Sequence, residues 1–294
     1  MTGLAPGPEQ GAACESAAAA IAGAGTVYAR YLINLDRSHD RLQRVDARLA
    51  ELQLTYERIA AVDGRKLSQD EYLQLTSRNR RCYKKILVPG EVGCYLSHVA
   101  ALRRFMEGNA QFVLILEDDA LLPDRLDEVI QAAIRLRERG EPGPAARWDV
   151  LKLNGSRRHR VVFGPVVPGV DLVEYVFAVP TATAATVWTR DGAARFLRAF
   201  HVRQVPRPID CDLQHPWEFG LTIRSVYPPI VSAEGVSVIG TRKGQRSRLW
   251  RRFDYETRKV VRRLYGLVSI YGPWTLLQLL WHQSVRVSRK GPAE

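Results

Sequence analysis

Apolar and polar positions switch between two periods along most of the chain, and each switch marks a new element. Val27–Leu35 (VYARYLINL) is apolar and β-rich and runs into the polar stretch Asp36-Arg37-Ser38-His39-Asp40. Leu42, Val45, Leu49 and Leu52 then recur at three- and four-residue spacing, which predicts a helix with one apolar face. Thr55–Val62 reads as a second strand, stopped by the turn signal Asp63-Gly64. The opening is therefore a β-α-β unit, the building block of a parallel sheet. Glu91–Met106 predicts a second helix, with Val92, Tyr95, Leu96, Val99, Leu102 and Phe105 at its apolar or small positions. Phe112–Leu116 (FVLIL) is a continuous apolar run, the pattern of a strand covered on both faces. Further on, Asp124–Arg139 predicts a helix, Val150–Leu153 a strand, Thr186–Thr189 and Asp191–Phe200 a strand followed by a helix, and Thr222–Val226 a late strand. The expectation is one α/β domain over residues 26–240, preceded by a leader (1–25) and followed by a tail (241–294).

Composition adds little to the fold and much to the ends. The 294 residues are 46% hydrophobic and 25% charged, values of a folded globular chain. The net charge of +12 is local: residues 241–294 hold 13 Lys and Arg against three acids, which leaves +2 for the rest. No basic groove for nucleic acid across the body is indicated, and nucleic acid is not an expected partner. The leader is rich in Ala and Gly, with no Lys or Arg before the short run Ala17–Ala22, so it reads as disordered and not as a secretory signal. Cys14, Cys82, Cys94 and Cys211 are scattered without C-x-x-C spacing, which argues against a disulfide scaffold and fits a reducing compartment. In the tail, Leu264–Val285 lacks Asp, Glu, Lys and Arg, yet Gly272-Pro273 breaks it and basic residues flank it. An amphipathic attachment to an anionic membrane surface is expected over a span, with a helix packed on the domain as the plain alternative.

Four segments carry candidate chemistry. Glu117-Asp118-Asp119 follows a buried strand, and at the carboxyl end of a parallel strand three acids would face the crevice where open α/β sheets bind ligands. Carboxylate oxygens suit Mn²⁺ or Mg²⁺, which commonly share coordination with substrate phosphates. Asn34, Asp36, Arg37 and Arg41 end the first strand; the arginines either meet phosphate or are ordinary helix-start residues in solvent. The stretch 90–98 (GEVGCYLSH) combines glycines that permit close backbone approach to a ligand with Glu91, Ser97 and His98, while Cys94 reads as a small packed hydrophobe. Finally, Asp210-Cys211-Asp212 offers a general base, and His215 is a metal ligand or mere packing.

In this order the segments resemble glycosyltransferase family 25, the lipooligosaccharide glycosyltransferases with relatives among the collagen glycosyltransferases. The matching stretches are YLINLDRSHDRL (31–42), AAVDG (60–64), GEVGCYLSH (90–98), FVLILEDDA (112–120), WDVLKL (148–153), TAATVWTRDGAARFL (183–197) and PIDCDLQH (208–215). The resemblance covers about residues 27–235. It implies a GT-A-like, Rossmann-related fold with a mixed, mostly parallel sheet flanked by helices. It also implies transfer of a hexose, galactose foremost, from a UDP-sugar to a lipid-linked saccharide acceptor with inversion. On this reading Asp119, with Glu117 or Asp118, and His215 hold the metal, and Asp210 or Asp212 is the base. Asn34, Asp36, Arg37, Arg41, Asp63, Glu91, Ser97 and His98 hold the donor. Glu117 stands where the D-x-D-type motif of such folds begins with Asp. The implied place of action is the inner face of the cytoplasmic membrane.

Two other readings compete. A phosphohydrolase would need D-x-D-x-T, which Glu117-Asp118-Asp119-Ala120-Leu121 does not supply. A membrane or nucleic-acid adaptor working through the tail, or an inactive transferase-like protein, is the other alternative.

Overall fold

The computed structural model describes residues 28–139, 147–155, 159–176, 179–234, 249–282 and 284–286. The leader and the segment joining the domain to the tail lie outside these. In chain order the elements are β1 (Ala29–Asn34), α1 (His39–Glu51), β2 (Glu57–Ala60), a 3₁₀ turn (Gly64–Lys66), α2 (Gln69–Leu75), α3 (Asn79–Cys82), α4 (Pro89–Glu107), β3 (Phe112–Glu117) and β4 (Ala120–Leu121). They continue with α5 (Leu126–Glu138), β5 (Val150–Lys152), β6 (Arg160–Val167), β7 (Val170–Tyr175), β8 (Ala185–Thr189), α6 (Arg190–Arg203) and α7 (Ile209–Asp212). A 3₁₀ turn (Pro216–Glu218), β9 (Ile223–Tyr227), β10 (Ser232–Ala233), α8 (Leu249–Trp281) and β11 (Ser284–Arg286) complete the order.

Nine strands form one sheet in the order β11-β6-β7-β9-β5-β8-β3-β1-β2, and β4 pairs with β10 apart from it. Following the pairings, β8 and β7 run against the other seven strands. This is the mixed, largely parallel sheet of a GT-A-like fold. The alternation of β3 explains its layering. Leu114 and Leu116 belong to the core shared with Val45 and Leu49 of α1 and Val129 and Ile130 of α5. Val113 and Ile115 belong to the opposite core, with Val92, Tyr95 and Leu102 of α4 and Phe196 of α6. Complete burial of each such side chain contributes about 1.5–3 kcal/mol.

Two glycines set the distance between the β2 loop and α4. A Cβ on Gly64 would lie 1.8 Å from the Pro89 carbonyl oxygen, and one on Gly93 would lie 2.5 Å from that of Val62. The glycines of the 90–98 stretch were expected to admit a ligand; Gly93 instead admits another backbone. Gly93→Ala is therefore expected to cost about 1–3 kcal/mol by overpacking. Chemical denaturation would check it, and an unchanged midpoint would overturn it.

The tail also differs from a detached appendage. Arg263 of α8 is buried and donates to the carbonyls of Val176 (3.0 Å) and Tyr175 (2.6 Å), with Glu174 at 3.1 Å. Lys84 pairs with Glu256 of the same helix. The first half of α8 is thus packed on the domain, the plain alternative raised by its sequence. Gly272, at φ 76°, interrupts the helix before Pro273, as expected.

Candidate active site

The carboxyl ends of β1, β2 and β3 open onto one cleft. Its walls include Arg37, Ser38, Arg41, Asp63, Ser97, His98 and all three acids of Glu117-Asp118-Asp119. Glu117 ends β3, and Asp118 and Asp119 form the turn after it. Each acid has a different environment.

Glu117 faces α4. His98 Nε2 lies 3.0 Å from its Oε1, and the Thr183 hydroxyl donates to the same oxygen. Burial raises the Glu117 carboxyl, but hydrogen bonding and charge from His98, with Thr183 and Lys152 behind them, hold it below the usual range. Asp118 turns toward β1: Asn34 Nδ2 donates to it at 2.8 Å and Arg41 Nη1 at 3.0 Å. Asp119 has no such support. Its Oδ1 is buried without a hydrogen-bond partner, and burial, with the charges of Glu117 and Asp118, pushes its carboxyl up to about 6. A buried acid that is short of counter-charge is what a cation site looks like before the cation is counted. The acid set fits Mn²⁺ or Mg²⁺ on that observation, with Asp119 and Glu117 as the donors least committed to fixed cations. A second convergence lies alongside: ligand atoms of Cys94, His98 and Glu117 fall within 4.8 Å of one another. Burial, then the charges of Glu117, Asp210 and Asp119, raises the Cys94 thiol well above its ordinary value, so it remains protonated without a metal.

The donor-side residues divide into those that face the cleft and those that hold it. Arg37 pairs with Asp63, which also caps the 3₁₀ turn by accepting from Arg65 N–H at 3.2 Å. Burial raises the Asp63 carboxyl, but that cap and the Arg37 charge bring it below its usual range. Asn34 is buried and reaches Asp118, the Ser38 carbonyl and Arg58, so it acts by positioning. Asp36 is exposed and pairs with Arg58 at 2.6 Å. Ser97 accepts from Val62 N–H at 2.8 Å and donates to the Gly93 carbonyl at 2.7 Å, which fixes the loop carrying Asp63. Glu91 accepts from Val88 N–H at 3.0 Å and caps α4; neither it nor Asp36 lines the cleft.

The late candidates separate sharply. Asp210 is half-buried in α7; its carboxylate accepts from Cys211 N–H (2.7 Å) and lies 3.5 Å from Ala182 N. Its charge acts with those of Glu117 and Asp119 on Cys94, a residue that lines the cleft, although Asp210 itself is not among the lining residues. Asp212 has no exposed surface and is held by Tyr95 OH (2.7 Å), Arg203 (3.1 Å) and Arg207 (2.5 Å). A base must touch its acceptor, and this carboxylate touches only its own scaffold. His215 lies apart from the acids. Its Nδ1 is 3.0 Å from the Cys211 carbonyl, its ring packs on Trp217 and Tyr255, and it faces a different cavity. Burial, then the charges of Arg207 and other neighbouring cations, lowers it to about 3. The expected metal role for His215 is not brought together with Glu117-Asp118-Asp119.

Lys152 was not anticipated. It is fully buried on β5, donates to the Pro180 carbonyl, and is lowered to about 8 by burial against the opposing charges of Asp210 and Glu117. The available signal was a lysine between Leu151 and Leu153 in the otherwise apolar run VLKL. Thr183, which fixes Glu117, left no such trace.

A largely parallel sheet with an acidic cleft at the carboxyl ends of its first strands is the arrangement of the GT-A class. Residues 28–145 match the sequence model described as Glycosyltransferase family 25 (LPS biosynthesis protein). The resemblance to glycosyltransferase family 25 read from the motifs is thus shown over that region. The chain is similar to a glycosyltransferase 25 family member of Aedes aegypti, 36% identical over 94 residues that make up 30% of this chain and 16% of that protein. It is 30% identical over 145 residues to procollagen galactosyltransferase 1-A of Xenopus laevis, covering 48% of this chain and 23% of the relative. Human procollagen galactosyltransferase 2 is 30% identical over 94 residues, covering 30% and 15%. The chain therefore spans less than a quarter of the length of these relatives. The family match ends before α7 and so does not reach Asp210 or Asp212.

Proposed function

We propose that the chain is an inverting hexosyltransferase that moves galactose, in preference to other hexoses, from a UDP-sugar to a lipooligosaccharide-type acceptor. The observation that carries this reading is Asp119, a buried acid with an unpartnered oxygen, in a cleft that also presents Arg37 and Arg41. Asp119 and Glu117 would hold Mn²⁺ or Mg²⁺, which supplies charge neutralisation at the departing pyrophosphate. His98 and Thr183 orient Glu117, while Asn34 and Arg41 hold Asp118 out of the way. Arg37 is partly exposed and bound only to Asp63 among the described residues, so it is free to exchange that carboxylate for a donor phosphate. Asp63 then turns to the ribose. Asp210 takes the proton of the acceptor hydroxyl as it attacks the anomeric carbon opposite the leaving UDP. A screen of UDP-sugars for donor turnover, with Mn²⁺ and with chelator, tests the proposal: metal-dependent consumption of UDP-galactose is expected. Indifference of every donor to the chelator would sink it.

We infer that such an acceptor would be met at the inner face of the cytoplasmic membrane. No described helix is long and apolar enough to cross one. Phe253, Tyr265, Val268, Trp274 and Leu277 of α8 are nevertheless exposed, on a helix of basic composition, which suits an anionic surface. The full chain should co-sediment with phosphatidylglycerol vesicles at low salt, and Tyr265→Ser with Trp274→Ser should reduce the bound fraction several-fold. An unchanged fraction would remove α8 from that role.

A further inference from the structure

A second cavity lies where α3 and the 3₁₀ turn after α7 meet the start of α8. Its volume is about 330 Å³. Its cationic wall includes Arg81, Arg258 and Arg262, and its aromatic wall Tyr83, Trp217 and Tyr255. Lys259 and Arg207 bring the cations to five, against the carboxylates of Glu218 and Asp254. Those two acids are already committed: Glu218 to Arg203 and Arg207, and Asp254 to Arg258 at 2.7 Å. Lys259 is likewise engaged with Glu256 at 2.7 Å. Arg81 and Arg262 have no acidic partner among the described residues, so the cavity keeps uncompensated positive charge. His215 reports the same field, since the charges of Arg207, Lys259 and Arg203 help burial to keep its ring neutral. Two lining residues also hold unspent polar groups, the Trp217 indole N–H and the Tyr255 hydroxyl, both buried without a partner among the described residues.

Cations set over aromatic faces recognise one chemistry well: a sugar ring carrying an anionic substituent. The rings pack against its apolar face, and the guanidinium forks take the phosphate oxygens. The position of the cavity gives that chemistry a use. Arg207 and His215, on either side of the short helix α7, line the cavity, and Asp210 lies within that helix. Cys211 of the same helix touches Tyr83 (3.5 Å) and its carbonyl receives His215. We propose that this cavity is an acceptor subsite that grips a phosphorylated saccharide by its phosphate, while a further sugar of the same acceptor presents its hydroxyl to Asp210. This rests on the transferase reading above and adds to it the class of acceptor: a phosphate-bearing sugar.

The test is calorimetric titration of the full chain at fixed ionic strength with glucose 6-phosphate, glucose, inorganic phosphate and dihexanoyl phosphatidylglycerol. Glucose 6-phosphate is expected to bind more tightly than the other three, and to bind equally in the presence of saturating UDP and Mn²⁺. Arg81→Glu with Arg262→Glu, both at exposed positions, should weaken glucose 6-phosphate at least ten-fold and leave UDP binding within two-fold. The milder pair Arg81→Gln and Arg262→Gln should fall between, which guards against a folding defect. Displacement of glucose 6-phosphate by UDP would overturn the proposal, as would an unaffected double variant. Phosphate or the lipid headgroup binding as tightly as the sugar phosphate would overturn it too. Failure of the donor screen with sugar-phosphate binding intact would defeat the transferase reading and its link to Asp210, while the anionic-sugar site itself would stand.

Discussion

Asp119→Asn should leave a folded protein that consumes donor at about a thousandth of the parent rate or less. The carboxylate is the cleft acid whose buried Oδ1 has no partner among the described residues, and an amide oxygen can keep the backbone hydrogen bond the group accepts, so the change removes charge and little else. Stability should hold or rise slightly, because an acid pushed up to about 6 by burial and by Glu117 is one the folded state accommodates at a cost. Activity moves the other way. A cation at a departing pyrophosphate is worth several kcal/mol of transition-state stabilisation, and about 4 kcal/mol corresponds to roughly a thousand-fold in rate. Asp118→Asn should behave differently, since Asp118 is tied to Asn34 and Arg41; its loss should loosen the β1 end and raise KM for donor more than it lowers kcat. Steady-state kinetics with UDP-galactose over a Mn²⁺ series separate the two. Full activity of Asp119→Asn would remove the metal from Asp119 and with it the chief support for the transferase reading.

What could be read in advance follows from how local each signal is. β1, α1, β3, α4 and α6 are long, strongly patterned and buried on predictable faces, so periodicity alone located them within a few residues. The same is true of the acids after β3, because a continuous apolar run ending in charge has one sensible place in an open sheet. The β6–β7 hairpin was passed over although RVVFGPVV and VDLVEY flank Pro168-Gly169, and Gly169 takes the positive φ of a tight turn. Its bulges interrupt the alternation that would have announced it. The partners of the acids were illegible for a different reason. Nothing in the sequence says that Glu117 would meet His98 and Thr183 while Asp118 met Asn34, since those pairings are made by chain crossings 19 to 84 residues apart. Asp210 and Asp212 show the limit most plainly: two identical side chains, two residues apart on one helical turn, have opposite environments.

That opposition yields the second large effect. Asp212→Ala should destabilise the protein by about 3–5 kcal/mol, the usual consequence of removing one member of a buried ion pair. Arg207 is nearly inaccessible and would keep Glu218 but lose its closest carboxylate, Arg203 would lose one of two, and Tyr95 would lose the acceptor of its buried hydroxyl. Tyr95 also stacks on Phe196 and Phe200, so the damage would spread from α7 into the core beneath α4. Asp210→Asn should cost little stability, because its half-buried carboxylate meets, among the described residues, only neutral groups that an amide oxygen also accepts from: the N–H and thiol of Cys211 and, more distantly, the N–H of Ala182. Its activity should fall by about 10²–10⁴, the usual contribution of a general base. Denaturation midpoints and kcat, measured on both variants at a temperature where both are folded, form a double dissociation: one variant unstable with activity per folded molecule retained, the other stable and inactive. If Asp212→Ala proved stable yet dead, the proton would have to leave through the buried carboxylate, and Asp210 would lose its role as the base.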